Sequence, residues 1–207
     1  SGQTAQSGKK RYRGIMDSCL LVCGTIRHAE GFAAMTGLAE TVDLTVGTDL
    51  VAARGLISAG KFDFLVTDYG IFDEEAADFS VMAAETTKSC PLLVTSLPED
   101  SPAAQDAWDA GVYVIRRPVD IPEFRRAMRL LRSVKLRMEH FDRENRELQR
   151  KMEESKLINR AKCVLIQYLN MTEEQAHKYI EKQAMNMRRS RTSVAESILR
   201  TYDEIGY

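Results

Sequence analysis

The chain has 207 residues, 44% of them apolar and 29% charged, with a formal net charge of -1, which leaves room for one α/β domain and a smaller one but not for two full cores. The near-zero charge excludes a uniformly basic nucleic-acid-coating protein. No stretch reaches the roughly 18 apolar residues of a spanning helix, and no charged-then-apolar leader opens the sequence, so a cytoplasmic protein with no membrane partner is expected.

Residues 1–17 are rich in Ser, Gly, Gln, Lys and Arg over Ser1 to Gly14 and carry no apolar period, so disorder is expected there. From Cys19 to Pro118, strand-length apolar runs alternate with amphipathic helical stretches, the pattern of a doubly wound parallel sheet. The spacing predicts strands at Cys19–Cys23, Asp43–Val46, Phe64–Val66, Leu92–Thr95 and Tyr113–Ile115. Helices are predicted between them at Arg27–Leu38, Asp49–Ala59, Glu74–Thr87 and Ala103–Ala110. Gly60 and Gly111 follow helical stretches where left-handed C-caps are expected. In such a sheet, ligands gather at the carboxyl ends of the strands. The four cysteines, Cys19, Cys23, Cys90 and Cys163, have no zinc-site spacing and read as small hydrophobes in a reducing compartment.

Asp120-Ile-Pro-Glu123 is a capping box with proline in the first turn, and it opens a helix with no further Gly or Pro through Asn159. Within it, Leu131, Met138, Asn145 and Met152 fall at heptad position a, and Val134, Phe141, Leu148 and Ser155 at position d. So narrow a stripe among Arg, Lys and Glu suits pairing with a copy of itself. The expectation is a parallel homodimer in which Asn145 fixes register; the other reading is a helix packed lengthwise on its own domain. Beyond it the apolar face continues through Ile158, Ala161, Leu165 and Ile166. A second capping box, Thr172-Glu-Glu-Gln175, opens a helix that buries Ala176, Tyr179, Ile180 and Ala184, and a third helix runs from Thr192 to Asp203 around Val194, Ala195, Ile198 and Leu199. The layout is then a disordered segment (1–17), a (βα)5 domain (18–121), a coiled-coil linker helix (122–156) and a three-helix domain (157–207).

Asp68 ending the third strand, Ser96 ending the fourth and Arg117-Pro118 after the fifth make Ser18 to Leu131 resemble a response-regulator receiver domain. The resemblance implies that Asp68 is the phosphoacceptor, that Ser96 is the hydroxyl meeting the phosphoryl group, and that Arg117 stands where receivers place a lysine. The departures are substantial. Cys23 and Gly24 occupy the place of the acidic pair that holds magnesium, an ion that demands hard oxygen ligands. Without that ion, the charge on a transferring phosphoryl group loses its main stabiliser. A planar guanidinium replaces a compact ammonium, and Gly111 to Arg117 is one residue short, which displaces Tyr113 from the usual aromatic switch position. Asp68 therefore reads either as a phosphorylation switch or as a leftover carboxylate paired with Arg117 in a degenerate, metal-free receiver that docks a sensor or regulatory protein.

The tail pattern Ile158-x-x-Ala161-Lys162, Thr172-Glu-Glu-x-Ala176, Met185 and Val194-Ala195 resembles the ANTAR domain of the AmiR and NasR transcription antitermination regulators, with Cys163 where the family commonly has glycine. The resemblance implies binding of small RNA hairpins in a nascent leader transcript. Charge agrees with it: from Lys156 to Tyr207 nine basic side chains face six acidic ones, a net of +3 in a slightly acidic chain. The candidate RNA contacts are Lys162, Lys182, Arg188, Arg189 and Arg191, with Tyr168, His177 and Tyr179 as stacking candidates. The other reading leaves the arginine cluster as a solvated helix C-terminus. Two further classes stay open, a phosphorylation-driven regulator binding duplex DNA and a coiled-coil adaptor that binds no nucleic acid. No phosphate loop, nucleophile-and-base set or metal set appears, so neither enzymatic activity nor a cofactor is expected.

Overall fold

The computed structural model describes residues 16–60, 62–70 and 72–203. The chain divides into two compact units, Ser1–Arg137 and Met138–Tyr207. In the first, β1 (Ser18–Cys23), α1 (Ile26–Thr36), α2 (Leu38–Thr41), β2 (Asp43–Gly47), α3 (Leu50–Ala59), β3 (Phe64–Asp68), α4 (Asp73–Thr86), β4 (Cys90–Thr95), α5 (Pro102–Asp109) and β5 (Tyr113–Arg116) alternate as expected. All strand pairs are parallel, in the order β2-β1-β3-β4-β5. That is one of the two common doubly wound orders, and its switch point lies between β1 and β3.

Every residue of β3 and β4, and all but the first of β1, is buried. These central strands have helices on both sides, so their sequences are apolar throughout rather than alternating. Cys19, Leu21, Phe64 and Val66 face Phe32 and Ala33 of α1 on one side, while Leu20, Val22 and Leu65 face Ala53, Ile57 and Phe79 of α3 and α4 on the other. Local chemistry starts the helices: Thr25, Asp49 and Ser101 each accept a hydrogen bond from a first-turn N–H of α1, α3 and α5.

The glycines hold two surprises. Gly37 at φ 75° breaks the helix expected over Arg27–Leu38 and starts the short α2. Gly111 is left-handed as expected, at φ 83°, but Gly60 is extended, at φ -91° and ψ 156°. Glycine is required there by crowding, since a Cβ would come within 2.5 Å of the Phe62 ring and 2.9 Å of the Leu56 carbonyl.

The long helix α6 (Ile121–Leu169) belongs to both units. Asp120 caps it through the N–H of Glu123, at 3.2 Å. Its first turns are not linker: Phe124, Ala127 and Leu131 are buried in the same core as β1, β3 and α1, with Phe124 edge-on to Phe32. The α/β unit thus runs to Arg137 rather than ending at 121. Further along, Lys135 bonds Asp17 at 2.7 Å and Asp63 at 2.9 Å, and Asp17 also pairs with Arg132 at 3.0 Å. Asp17, at the end of the stretch expected to be disordered, is therefore held in place, while residues 1–15 lie outside the described residues.

In the second unit, α7 (Glu173–Met187) and α8 (Arg191–Asp203) pack with the end of α6 around Ala161, Leu165, Ala176, Ile180, Val194 and Ala195. The Thr172–Gln175 capping box is complete in both directions. Tyr179, expected inside, is exposed instead, and the small core closes without it. No helix among the described residues is long and apolar enough to cross a membrane.

Candidate functional site

At the carboxyl edge of the sheet, Asp68, Ser96 and Arg117 come together, as their places at strand ends required. Asp68 is buried, and both of its carboxylate oxygens are occupied. Oδ1 accepts from Arg117 through Nε at 3.1 Å and also through Nη2. Oδ2 lies 2.7 Å from His28 Nε2. Arg117 Nη1 also donates to both oxygens of Asp73, at 3.0 and 3.1 Å, and to Ser96 Oγ at 3.2 Å, while Nη2 reaches the Val94 carbonyl at 3.2 Å. Asp73 in turn accepts from the Ser96 backbone N–H at 2.6 Å. Ser96 therefore serves Asp73 and Arg117.

This arrangement follows from charge and burial. Two largely buried carboxylates and one guanidinium share their hydrogen bonds, and the planar fork holds both acids with N–H donors in fixed directions. Although burial opposes it, the bonds to Asp68 and then Asp73 hold the Arg117 guanidinium above its usual range. Beside it, burial first, and then the charge of Asp68, push the Cys23 thiol up to about 12, with Arg117 opposing. The three cysteines of the sheet, Cys19, Cys23 and Cys90, are buried, and Cys163 is exposed.

Two members of this network, His28 and Asp73, carry no signal in the sequence beyond their places just after strand ends. His28 stands in the first turn of α1, its N–H capped by Thr25 at 3.1 Å. Asp73 opens an acidic run, Asp73-Glu74-Glu75, at the start of α4. The magnesium that a receiver fold implies does not fit here. Cys23 and Gly24 supply no charged oxygen at the end of β1, which leaves Asp68 as the one carboxylate at these two strand ends, too few hard oxygens for that ion.

The predicted dimer stripe divides. Leu131 does not belong to it, because that side chain completes the α/β core at 6% exposure. Val134, Met138, Phe141, Leu148 and Met152 are exposed, and so is Asn145. Further on, Ile158, Ala161 and Leu165 turn into the core of the second unit, while Ile166, expected on the same face, is exposed.

The candidate RNA contacts fall into two groups. Lys162 and Arg191 line one cleft of about 350 Å³ together with Lys151, Asn159 and His177. Each has a carboxylate partner: Lys162 meets Glu173 at 3.1 Å and Arg191 meets Glu181 at 3.4 Å. Arg188 and Arg189 sit in the turn between α7 and α8, where Arg188 adopts φ 51° and its N–H and that of Arg189 close the end of α7 on Met185 and Ala184. Their side chains, and that of Lys182, are exposed with no ion pair among the described residues. Among the stacking candidates, Tyr168 packs against Tyr202 at 5.1 Å between ring centroids, and His177 lies 3.4 Å from Glu181.

The strand order and the Asp68–Ser96–Arg117 corner define a receiver-like domain, followed in the chain by a helical domain. Residues 146–199 match the family model of the ANTAR domain. The chain thus carries an ANTAR domain at residues 146–199, preceded by an α/β domain with receiver-like strand order. No curated protein matches it. Among solved structures it is similar to a pilus assembly protein of Burkholderia thailandensis, with 21% identity over 57% of this chain and 99% of that one and a TM-score of 0.46. It is also similar to full-length FixJ of B. japonicum, with 11% identity over 87% and 97% and a TM-score of 0.47. A third is a response regulator of Burkholderia pseudomallei bearing a phosphorylated aspartate, with 16% identity over 86% and 96% and a TM-score of 0.44. At these scores none of the three bears on what this chain does.

Proposed function

We propose that this chain is a transcription antitermination regulator that binds hairpins in nascent leader RNA through its C-terminal helices, as a homodimer paired along α6. The observation that carries the reading is the ANTAR domain at residues 146–199. The exposed arginines of the α7–α8 turn support it, because a hairpin loop offers both phosphates and splayed bases to guanidinium groups. An exposed heptad face from Val134 to Met152 supports pairing, since burying its apolar side chains against a second copy is favourable.

Control acts through the receiver-like domain by docking of a sensor or regulatory protein, not by phosphorylation. Asp68 as a nucleophile would have to give up its bonds to both Arg117 and His28, with no fitting magnesium site to stabilise the transferring group. The role is regulatory and non-enzymatic.

The test is a gel-shift titration of the full chain with short RNA hairpins and with duplex DNA of matched sequence. Retardation of the hairpins at low salt, with much weaker retardation of the duplex, is expected. Preference for the duplex would instead support a DNA-binding regulator, and binding of neither a protein-docking adaptor.

A further inference from the structure

We propose that the degenerate receiver corner is a site for a thiophilic divalent ion, zinc or a first-row transition metal, held by Cys23, His28 and Asp68. The ligand atoms of these three side chains, one thiol sulfur, one imidazole nitrogen and one carboxylate oxygen, all lie within 4.8 Å of one another. The fold sets this up. In the parallel ladder, Cys23 at the end of β1 is the register partner of Asp68 at the end of β3, and both face the layer that holds α1. His28 enters from the first turn of α1, fixed by the Thr25 cap.

Donor type decides the kind of ion. Thiolate, imidazole and one carboxylate suit zinc and its neighbours, whereas magnesium and calcium need sets of hard oxygens. The loss of the acidic pair therefore changes the metal class of the corner rather than emptying it of metal chemistry. Three protein ligands also leave a coordination position open.

Orientation and charge agree. Arg117 grips Asp68 through Oδ1, so Arg117 acts as an outer partner that fixes the ligand, while Oδ2 bonds His28 at 2.7 Å, a hydrogen bond that an ion held by both groups would replace. Asp68 and Asp73 bring two negative charges against the one positive charge of Arg117. A divalent ion that displaces the Cys23 thiol proton to solvent adds one net positive charge and brings the corner to neutrality. A cleft of about 450 Å³ lined by Arg27, His28, Met35, Asp68 and Pro118 opens the corner to solvent.

The experiment uses the reduced, metal-stripped full chain carrying Cys163→Ser, so that the exposed thiol is absent. It is titrated with Co²⁺, then with Zn²⁺, and in parallel with a large excess of Mg²⁺. The expected result is one Co²⁺ per chain with a thiolate-to-cobalt charge-transfer absorption, displaced by Zn²⁺ and untouched by Mg²⁺. Cys23→Ser should abolish that absorption, and His28→Gln, at an exposed position, should weaken Co²⁺ binding by more than about tenfold, the size of loss that even outer-partner changes cause. Circular dichroism confirms that each variant is folded, and if Cys23→Ser is not, the His28→Gln arm decides. Absence of the charge-transfer absorption, its persistence in a folded Cys23→Ser chain, unchanged affinity in His28→Gln, or displacement by Mg²⁺ would each overturn the proposal.

Discussion

Arg117 is the residue on which the receiver corner turns. It bonds two carboxylates at once, so its removal leaves Asp68 and Asp73 with mutual repulsion and no cation. With its side chain still 23% exposed, Arg117→Ala should destabilise the α/β unit by about 2–3 kcal/mol, somewhat less than for a fully buried pair. Urea unfolding measures it, and a change under about 0.5 kcal/mol would make the network a surface ornament. The same network accounts for a chemical expectation. Incubation with a small phosphodonor and Mg²⁺, followed by intact-mass measurement, should give no aspartyl adduct, and a stable adduct would restore Asp68 as a switch. Arg188 poses the opposite case. Its left-handed backbone, at φ 51°, costs a non-glycine residue roughly 1 kcal/mol. Arg188→Gly should therefore raise the stability of the second unit by about that amount while weakening hairpin binding. Stability and affinity falling together would contradict a role for the side chain in RNA contact.

Among the elements, α6 carries most of the argument. Its fourth and fifth turns are fastened to the sheet by Lys135, whose ammonium group is held above its ordinary value by the bonds to Asp17 and Asp63, which outweigh the opposing effect of burial. Burial also opposes the shift of Asp63, but bonds from the Ser18 backbone and Lys135 hold that carboxyl below its ordinary 3.8. The Asp63 contribution is thus complete above pH 4 or so and is lost as pH falls through the lower folded value. The Lys135 contribution is complete below its ordinary 10.5 and is lost as pH rises through the higher folded one. Lys135→Met should cost about 1–3 kcal/mol across the plateau between about pH 5 and 9 and flatten the acid limb, as followed by thermal unfolding against pH. Past this clamp the heptad face is open. Met138→Lys with Phe141→Lys should convert a dimer to a monomer in sedimentation equilibrium without unfolding either unit, and an unchanged mass would mean that the stripe pairs with something else. Leu131→Lys cannot serve as this test, because Leu131 sits in the α/β core.

Over the whole molecule, the features legible in the sequence were those with a strong period or a local chemical signature. The central strands announced themselves because burial on both faces makes them continuously apolar, and the capping boxes at Asp120 and Thr172 marked two helix starts. What the sequence concealed depends on proximity between distant residues. Leu131 satisfies the heptad and the α/β core equally well on paper, and only packing against Phe124 and the sheet assigns it to the core. His28 and Asp73 look like ordinary first-turn helix residues until the strand ends bring Asp68 and Arg117 to them. Gly60 was legible as a glycine position but not for its reason, since the nearness of the Phe62 ring is not a local pattern. The candidate RNA residues were found as a charge excess, yet ion pairs with Glu173 and Glu181 divide them into engaged and open sets that sequence spacing could not distinguish.

The claim that the C-terminal unit binds hairpin RNA through the α7–α8 turn is tested most directly by measuring hairpin affinity against salt for the chain and for its Arg188→Ala, Arg189→Ala variant. The account predicts a tight complex for the parent chain, weakened in the variant, with the slope of log affinity against log salt shallower by about one for each phosphate that the two arginines neutralise. The same affinity and the same slope for both proteins would contradict it.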